Sequence, residues 1–380
     1  MRKLSTTGGK RVAWGSLLGH QGSVAFGRRR RAAQAVAATE EQLAQLAISA
    51  EQQRRAAEIE QELQLARDIQ QGLLLEAAPR LPGWELTAVS LPALDLGGDL
   101  YDFLKLGAGV QGIMIGDVSG KGLSAALRMA VARTVFRHEA RRDEAPAITL
   151  AAVNRGVLSE IPQGMVTMLY LRLDTARGLL HVANAGHTFP MIVNGRVHEL
   201  ELSGLPLGVD ADSDYNEAST TIGHGDTVLL YTDGVLEAEN ERGEIYSYER
   251  LQALVEANVG LKPRALVALL LYELRAWSGG KQTDDVTIVV LRRRLSSLAA
   301  ELHGIAAEVL GAARAAEFWE QALASVGVGH EASATAWIAA LPELLQQAQG
   351  RFGRGLAREL QQQLRLTIED YRQELPTVVE

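Results

Sequence analysis

Asp117 is the residue from which chemistry can first be read. It lies in Gly112-Ile-Met-Ile-Gly-Asp-Val-Ser-Gly-Lys-Gly122, where a short apolar run, Ile113–Ile115, ends in a carboxylate and a tight turn. Gly116, Gly120 and Gly122 permit close backbone approach or positive φ. Ser124 then opens a helix, and the free N–H groups of the turn and helix start favour an anion such as phosphate. A carboxylate and an anion repel unless a cation lies between them, so this stretch predicts more carboxylates elsewhere. They are present. Asp99 and Asp102 lie in Gly97-Gly-Asp-Leu-Tyr-Asp102, Asp233 in Leu229-Leu-Tyr-Thr-Asp-Gly-Val-Leu-Glu237, and Asp284 with Asp285 in Thr283-Asp-Asp-Val-Thr-Ile-Val-Val-Leu291. Three of these four phrases abut an apolar β-like run, so acids distant in the chain can converge on one edge of a sheet. Hard oxygen donors, with no cysteine and few nearby histidines, suit Mg²⁺ or Mn²⁺ rather than zinc. Two such ions can clamp a phosphate and generate a nucleophile from water.

The elements that must position these acids form a long chain. Its 380 residues suffice for one large domain with helical appendages. A hydrophobic fraction of 47% and a mean hydropathy of -0.01 are ordinary for a soluble protein. No apolar run approaches the roughly 18 residues of a membrane span. The formal charge of -8 disfavours a nucleic-acid surface. The absence of cysteine excludes disulfides, thiolate metal sites and a cysteine nucleophile, and fits a reducing, cytoplasmic location.

Residues 1–31 read as a flexible basic tail ending in Arg28–Arg31, weighed against a membrane-surface or nucleic-acid contact. Residues 32–78 read as a long helix rich in Ala, Glu, Gln, Leu and Arg. Ile59, Leu63, Ala66, Gln70 and Leu73 form a heptad seam. Leu43, Leu46 and Ala50 continue an apolar line in another frame, which predicts a break in any coil. This helix is expected either to pair with a second copy in a homodimer or to pack on its own domain; Pro79 and Pro82 end it.

Residues 79–294 carry all the acidic phrases. Strands are expected at Trp84–Leu91, Gly112–Ile115, Thr167–Asp174, Gly178–Ala183, Glu217–Ile222, Thr227–Tyr231 and Val286–Arg292, with a hairpin at Asn194-Gly195. Helices are expected at Ser124–Arg141, Ala147–Ile161, Tyr248–Asn258 and Pro263–Trp277. The first of these has Leu127, Ala130, Val131, Thr134 and Val135 on its expected buried face. Many antiparallel strands with paired helices predict an α+β sandwich, two sheets with helices outside. Residues 295–380 read as a helical region without visible chemistry, with stripes Leu298, Leu302, Ile305, Val309 and Leu356, Leu360, Leu364, Ile368, punctuated by Pro342, Gly350 and Gly353.

Gly-Gly-Asp-Leu-Tyr-Asp102, Gly-Asp-Val-Ser-Gly-Lys-Gly122, Ala183-Asn-Ala-Gly-His187, Leu207-Gly-Val, Tyr-Thr-Asp-Gly-Val-Leu-Glu237 and Asp-Asp-Val-Thr287 resemble, in order, the motifs of the SpoIIE-type (RsbU-like) branch of the PPM metal-dependent serine/threonine phosphatases. The resemblance covers residues 60–294 and implies the PPM-type β-sandwich flanked by helices. It implies that Asp117 is shared by two Mn²⁺ or Mg²⁺ ions beside the Val118 carbonyl. Asp233 and Asp284 would hold the first ion, with Asp285 the alternative to Asp284. Asp99 would lie near the second. Lys121 and the amides around Ser119 and Gly120 are candidates to hold phosphate, Asp102 is equally a structural acid, and His187 is expected to be structural rather than an acid or base. Phe189 stands where the family usually has proline, a departure in a loop. The implied activity is hydrolysis of phosphoserine or phosphothreonine on a regulatory protein, such as an anti-sigma-factor antagonist. The helix before the domain would be a switch element. Rival readings are a silent scaffold of the same fold and a small-phosphoester or nucleotide hydrolase.

Overall fold

The computed structural model describes residues 16–73, 78–161 and 163–374. Lys10-Arg11 of the basic tail and residues 74–77 at the expected helix end lie outside them. The chain forms two compact units, one ending at Leu65 and one running from Ala66.

Helix α1 spans Ser16–Leu73, so it begins well inside the stretch expected to be a tail. The surface of its middle carries Arg54–Glu58 and Arg55–Glu51 pairs at 3.0 Å, one turn apart. Leu46, Ile48 and Ile59 are exposed on it. In the second unit, its last turns half-bury the heptad positions Ala66, Gln70 and Leu73.

Two five-stranded antiparallel sheets form the centre of the second unit. One has the order β1 (Trp84–Leu91), β10 (Val286–Arg293), β9 (Thr227–Tyr231), β6 (Met191–Val193), β7 (Val197–Glu199). The other has the order β2 (Leu100–Gly107), β3 (Val110–Val118), β4 (Val166–Asp174), β5 (Leu179–Ala185), β8 (Glu217–Thr221). Residue alternation along a strand sends side chains to opposite faces. Ile113 and Ile115 of β3, Leu169 and Leu171 of β4, Val228 and Leu230 of β9, and Val289 and Leu291 of β10 therefore meet between the sheets. Their neighbours Met114, Met168 and Tyr170 face helices α2 (Leu123–Ala140) and α3 (Pro146–Glu160). Leu229, Tyr231, Ile288 and Val290 face α4 (Tyr248–Ala257) and α5 (Pro263–Trp277). Both faces of the central strands are covered, which is why they read as continuous apolar runs. The expected α+β sandwich is the observed one.

One expected helix face is reversed. Ala126, Met129, Ala132, Arg133, Phe136 and Ala140 form the buried side of α2, whereas Leu127 is 62% and Val131 36% exposed. Alanines, Met129 and Phe136 fit against the sheet together with Arg133, whose charge hides this stripe in an apolar pattern.

Helices α6 (Leu298–Leu310), α7 (Ala312–Val326), α8 (Ala334–Phe352) and α9 (Arg354–Glu374) pack around their own core, with Trp319 and Trp337 stacked 5.7 Å apart at its centre. Pro342 does not break this region, because α8 runs through it. The chain instead turns at Gly311, Gly327 and Gly353, all with positive φ.

Candidate active site

The acids are delivered by the strands. Leu100 at the start of β2 pairs with Gly116 near the end of β3, and Tyr231 at the end of β9 pairs with Ile288 near the start of β10. Asp99, Asp117, Asp233, Asp284 and Asp285 therefore stand at strand termini, and their charges act on one another. Burial, then Asp233, Asp284 and Asp285, push Asp117 up to about 6. Burial and Asp117 hold Asp99 well above the ordinary carboxylate range, and burial with Asp284 raises Asp233. Like charges gathered in a half-dry site are unfavourable unless protons or cations join them.

Glycines make the approach of these groups feasible. A side chain at Gly98 would start 2.6 Å from the Val118 carbonyl oxygen and 3.2 Å from Asp117 Oδ1, so both oxygens converge on this point. At Gly234 it would start 2.0 Å from the Asp285 carbonyl, so only glycine lets the Asp233 turn close on the start of β10.

The adjacent acids Asp284 and Asp285, inseparable by spacing, differ in surroundings. Asp285 is buried and accepts the amides of Ala93 at 2.7 Å and Gly98 at 2.6 Å, fastening the loop that leads to Asp99. Asp284 is half-buried and meets Lys121 Nζ at 2.9 Å; the same ammonium donates to the Thr283 carbonyl at 2.6 Å. Ser119, expected to help hold phosphate, has its amide on the Met165 carbonyl and its hydroxyl accepting from the Met165 amide, both at 3.0 Å. Ser119 thus ties the turn to the start of β4. Gly120 has φ of +103° and faces open space.

Asp102 is fully buried and turns away from this cluster. It binds Arg133 at 3.0 Å and Arg137 at 3.2 Å on α2, a structural role. His187 is buried, which lowers its pKa to about 3 and keeps it neutral. Its Nδ1 lies 2.9 Å from Thr167 Oγ1, which also accepts from the Asp117 amide at 3.3 Å.

Thr232, Thr287, Gln70 and Arg67 support the site in ways the sequence did not show. Thr232 Oγ1 donates to Asp99 Oδ2 at 2.8 Å and accepts from the Thr287 amide at 2.9 Å. Both threonines sit inside acidic phrases, beside the acids that drew attention. Gln70, near the end of α1, donates to the Gly97 carbonyl at 2.7 Å and accepts its amide at 3.2 Å. Arg67, one turn earlier, pairs with Asp95 at 2.5 Å. The last turns of α1 thus clasp the same loop that Asp285 fastens.

Among the described residues, no three acidic or histidine side chains already stand in a finished cation site. The donor types nevertheless fit hard divalent cations: several aspartates and one backbone carbonyl, all oxygen. Hydrogen bonds and the Lys121 ion pair separate carboxylates that would otherwise repel.

Two antiparallel sheets, paired helices on the outside and aspartates from both sheets meeting at one end define a PPM-type phosphatase domain. The family model for "Stage II sporulation protein E (SpoIIE)" matches residues 107–294. The phosphoserine phosphatase RsbU of Bacillus subtilis is 30% identical over 242 residues, covering 63% of this chain and 72% of that protein. The phosphoserine phosphatase RsbP of the same organism is 29% identical over 183 residues, and the match spans 45% of it. Among solved structures, the RsbU and RsbW domains of a Mycobacterium tuberculosis protein align with TM-score 0.53 and 25% identity, covering 74% of this chain and 79% of that one. The SiaA PP2C domain of Pseudomonas aeruginosa aligns at 0.57 with 22% identity, over 62% of this chain and 96% of that one, and shows the fold. The chain belongs to the SpoIIE-type, RsbU-like branch of the PPM protein serine/threonine phosphatases. No helix among the described residues is long and apolar enough to cross a membrane.

Proposed function

We propose that this chain is a cytoplasmic, Mn²⁺- or Mg²⁺-dependent phosphatase that hydrolyses phosphoserine or phosphothreonine on a regulatory protein, such as an anti-sigma-factor antagonist. The observation that carries this reading is the convergence of Asp117 Oδ1 and the Val118 carbonyl on Gly98, with Asp99, Asp233, Asp284 and Asp285 in electrostatic reach. Asp117, Asp233 and Asp284 would hold one ion, and Asp117, the Val118 carbonyl and Asp99 the other. When bound, the two ions neutralise phosphoryl charge and activate a water for in-line attack. Asp285 positions the Ala93–Gly98 loop, and Thr232 orients Asp99. Lys121, beside Asp284, would donate to a phosphoryl oxygen, as would the backbone at Gly120.

Phosphate release from a phosphoserine peptide in Mn²⁺ tests the reading. Release by the wild type, abolished by chelator and reduced at least about a thousandfold by Asp117→Asn, is expected. Equal release in all three would end it. The exposed Leu46, Ile48 and Ile59 of α1 fit a homodimer formed through this helix. Light scattering of the full chain would give twice the chain mass if so, and a monomer would reject it.

A further inference from the structure

The outward face of α2 is apolar where solvent should have selected polar residues. Leu123, Leu127 and Val131, spaced one turn apart, are 50%, 62% and 36% exposed. This stripe does not stand alone. Leu94 is 57% exposed, and its tip lies 3.9 Å from where a Gly122 side chain would begin. Across the turn, Met165 is 46% exposed and is bonded through its backbone to Ser119. Gly208 packs against Gly164 and Met165, which brings Val209, 51% exposed, to the same rim. Arg128 lies between the two sides, with Nη1 donating to the Ser119 carbonyl at 3.4 Å. Exposed apolar side chains from four separate stretches thus flank the Asp117–Gly122 turn, and single scattered apolar residues would not do so.

We infer that this collar is the docking surface for the phosphoprotein substrate, and that it selects a phosphoserine flanked by apolar residues. The inference rests on the phosphatase reading above and names its substrate class. Asp284 and Gly234 line a half-open cavity of about 350 Å³. The collar offers further apolar area beside Lys121 and Arg128, which a small phosphoester would leave uncovered and a protein segment would cover. A macromolecule that places phosphate at Asp117 must lay its flanking residues on these side chains, because the collar is continuous with the cleft. An acidic flanking sequence would lay most of its length on Leu94, Leu123, Leu127 and Met165 and lose solvation there, with Arg128 the cation within the collar to answer it.

Two phosphoserine peptides of equal length test this, one with Leu and Val on both sides of the phosphoserine and one with Glu. The full chain in Mn²⁺ is expected to turn over the apolar-flanked peptide with at least about tenfold higher kcat/KM, on the scale of one or two buried apolar side chains. Leu127→Glu should erase that preference and leave p-nitrophenyl phosphate hydrolysis unchanged. Equal kcat/KM for both peptides in the wild type, or a preference that survives Leu127→Glu and Met165→Ser, overturns the inference. A fall in p-nitrophenyl phosphate turnover with a change from dimer to monomer in light scattering also overturns it, since the collar would then be an interface between copies. Fluorescence anisotropy of the same peptides on Asp117→Asn reads docking without turnover. Selective binding there, with no hydrolysis by the wild type, would retain the collar and reject the phosphatase reading; no selectivity there rejects the collar.

Discussion

β10 carries buried charge at both of its ends and treats it in opposite ways. At its far end Arg292 meets Glu85 at 3.1 Å and Glu301 at 3.2 Å, and Lys262 lies 3.5 Å from Glu308 and 3.7 Å from Glu85. Arg294 meets Asp370 at 2.9 Å. Opposite charges there answer one another and join the C-terminal helices to the sheet. At its near end Asp284 and Asp285 join three further aspartates, with Lys121 as the cation paired to them. Compensated charge holds two parts of the fold together. Uncompensated charge of one sign, collected at considerable electrostatic cost, makes sense as a place to bind what is missing.

The contrast can be broken from the compensated side first. Glu301→Ala leaves Arg292 buried with half its partners and is expected to destabilise the protein by about 3–5 kcal/mol in urea denaturation. Turnover per folded molecule should remain that of the wild type, and a loss of turnover without a loss of stability would show that the two ends are not separable. Asp285→Asn acts on the other end. It weakens the hold on the Ala93–Gly98 loop, and Mn²⁺ affinity by calorimetry should fall about 10–100-fold with little change in urea midpoint. Gln70→Ala removes two hydrogen bonds to Gly97 and should lower turnover by about fivefold, about 1 kcal/mol.

The smallest effect sharpens the comparison by pH. A carboxyl whose folded pKa is raised holds its proton more tightly in the folded chain than in the unfolded one. Asp117, raised to about 6, therefore makes the chelated protein more stable as pH falls from 7 toward 5. Melting temperature in chelator should rise over that interval, and Asp117→Asn should flatten the rise.

Much of this was legible in the chain. The acidic phrases predicted carboxylates at strand ends, and alternation within continuous apolar runs predicted strands buried on both faces. The face of α2 was not legible, because its inward stripe is built from Ala126, Met129, Ala132 and Arg133, and the charge of Arg133 is answered only by Asp102, thirty-one positions earlier. Nor could spacing separate Asp284 from Asp285; the amides of Ala93 and Gly98 on Asp285 and the Lys121 ammonium on Asp284 distinguish them. The roles of Thr232, Thr287 and Gln70, the last read only as a heptad position, were not legible for a related reason. A neutral side chain gains its role from the partner it meets, and that partner is distant in sequence. The start of α1 at Ser16 was missed because glycines and arginines mask a helix that lacks any proline.

The stacked indoles of Trp319 and Trp337, 18° from parallel in the core of the C-terminal helices, offer a built-in optical probe. Rings this close couple their excited states, so near-ultraviolet circular dichroism should carry a paired signal that vanishes when those helices loosen. Trp84 and Trp277, in the sheet-bearing region, have no stacked tryptophan partner among the described residues and would report separately. A chain without cysteine also accepts a single introduced thiol as a unique labelling point, so melting of the two regions can be followed apart in one sample.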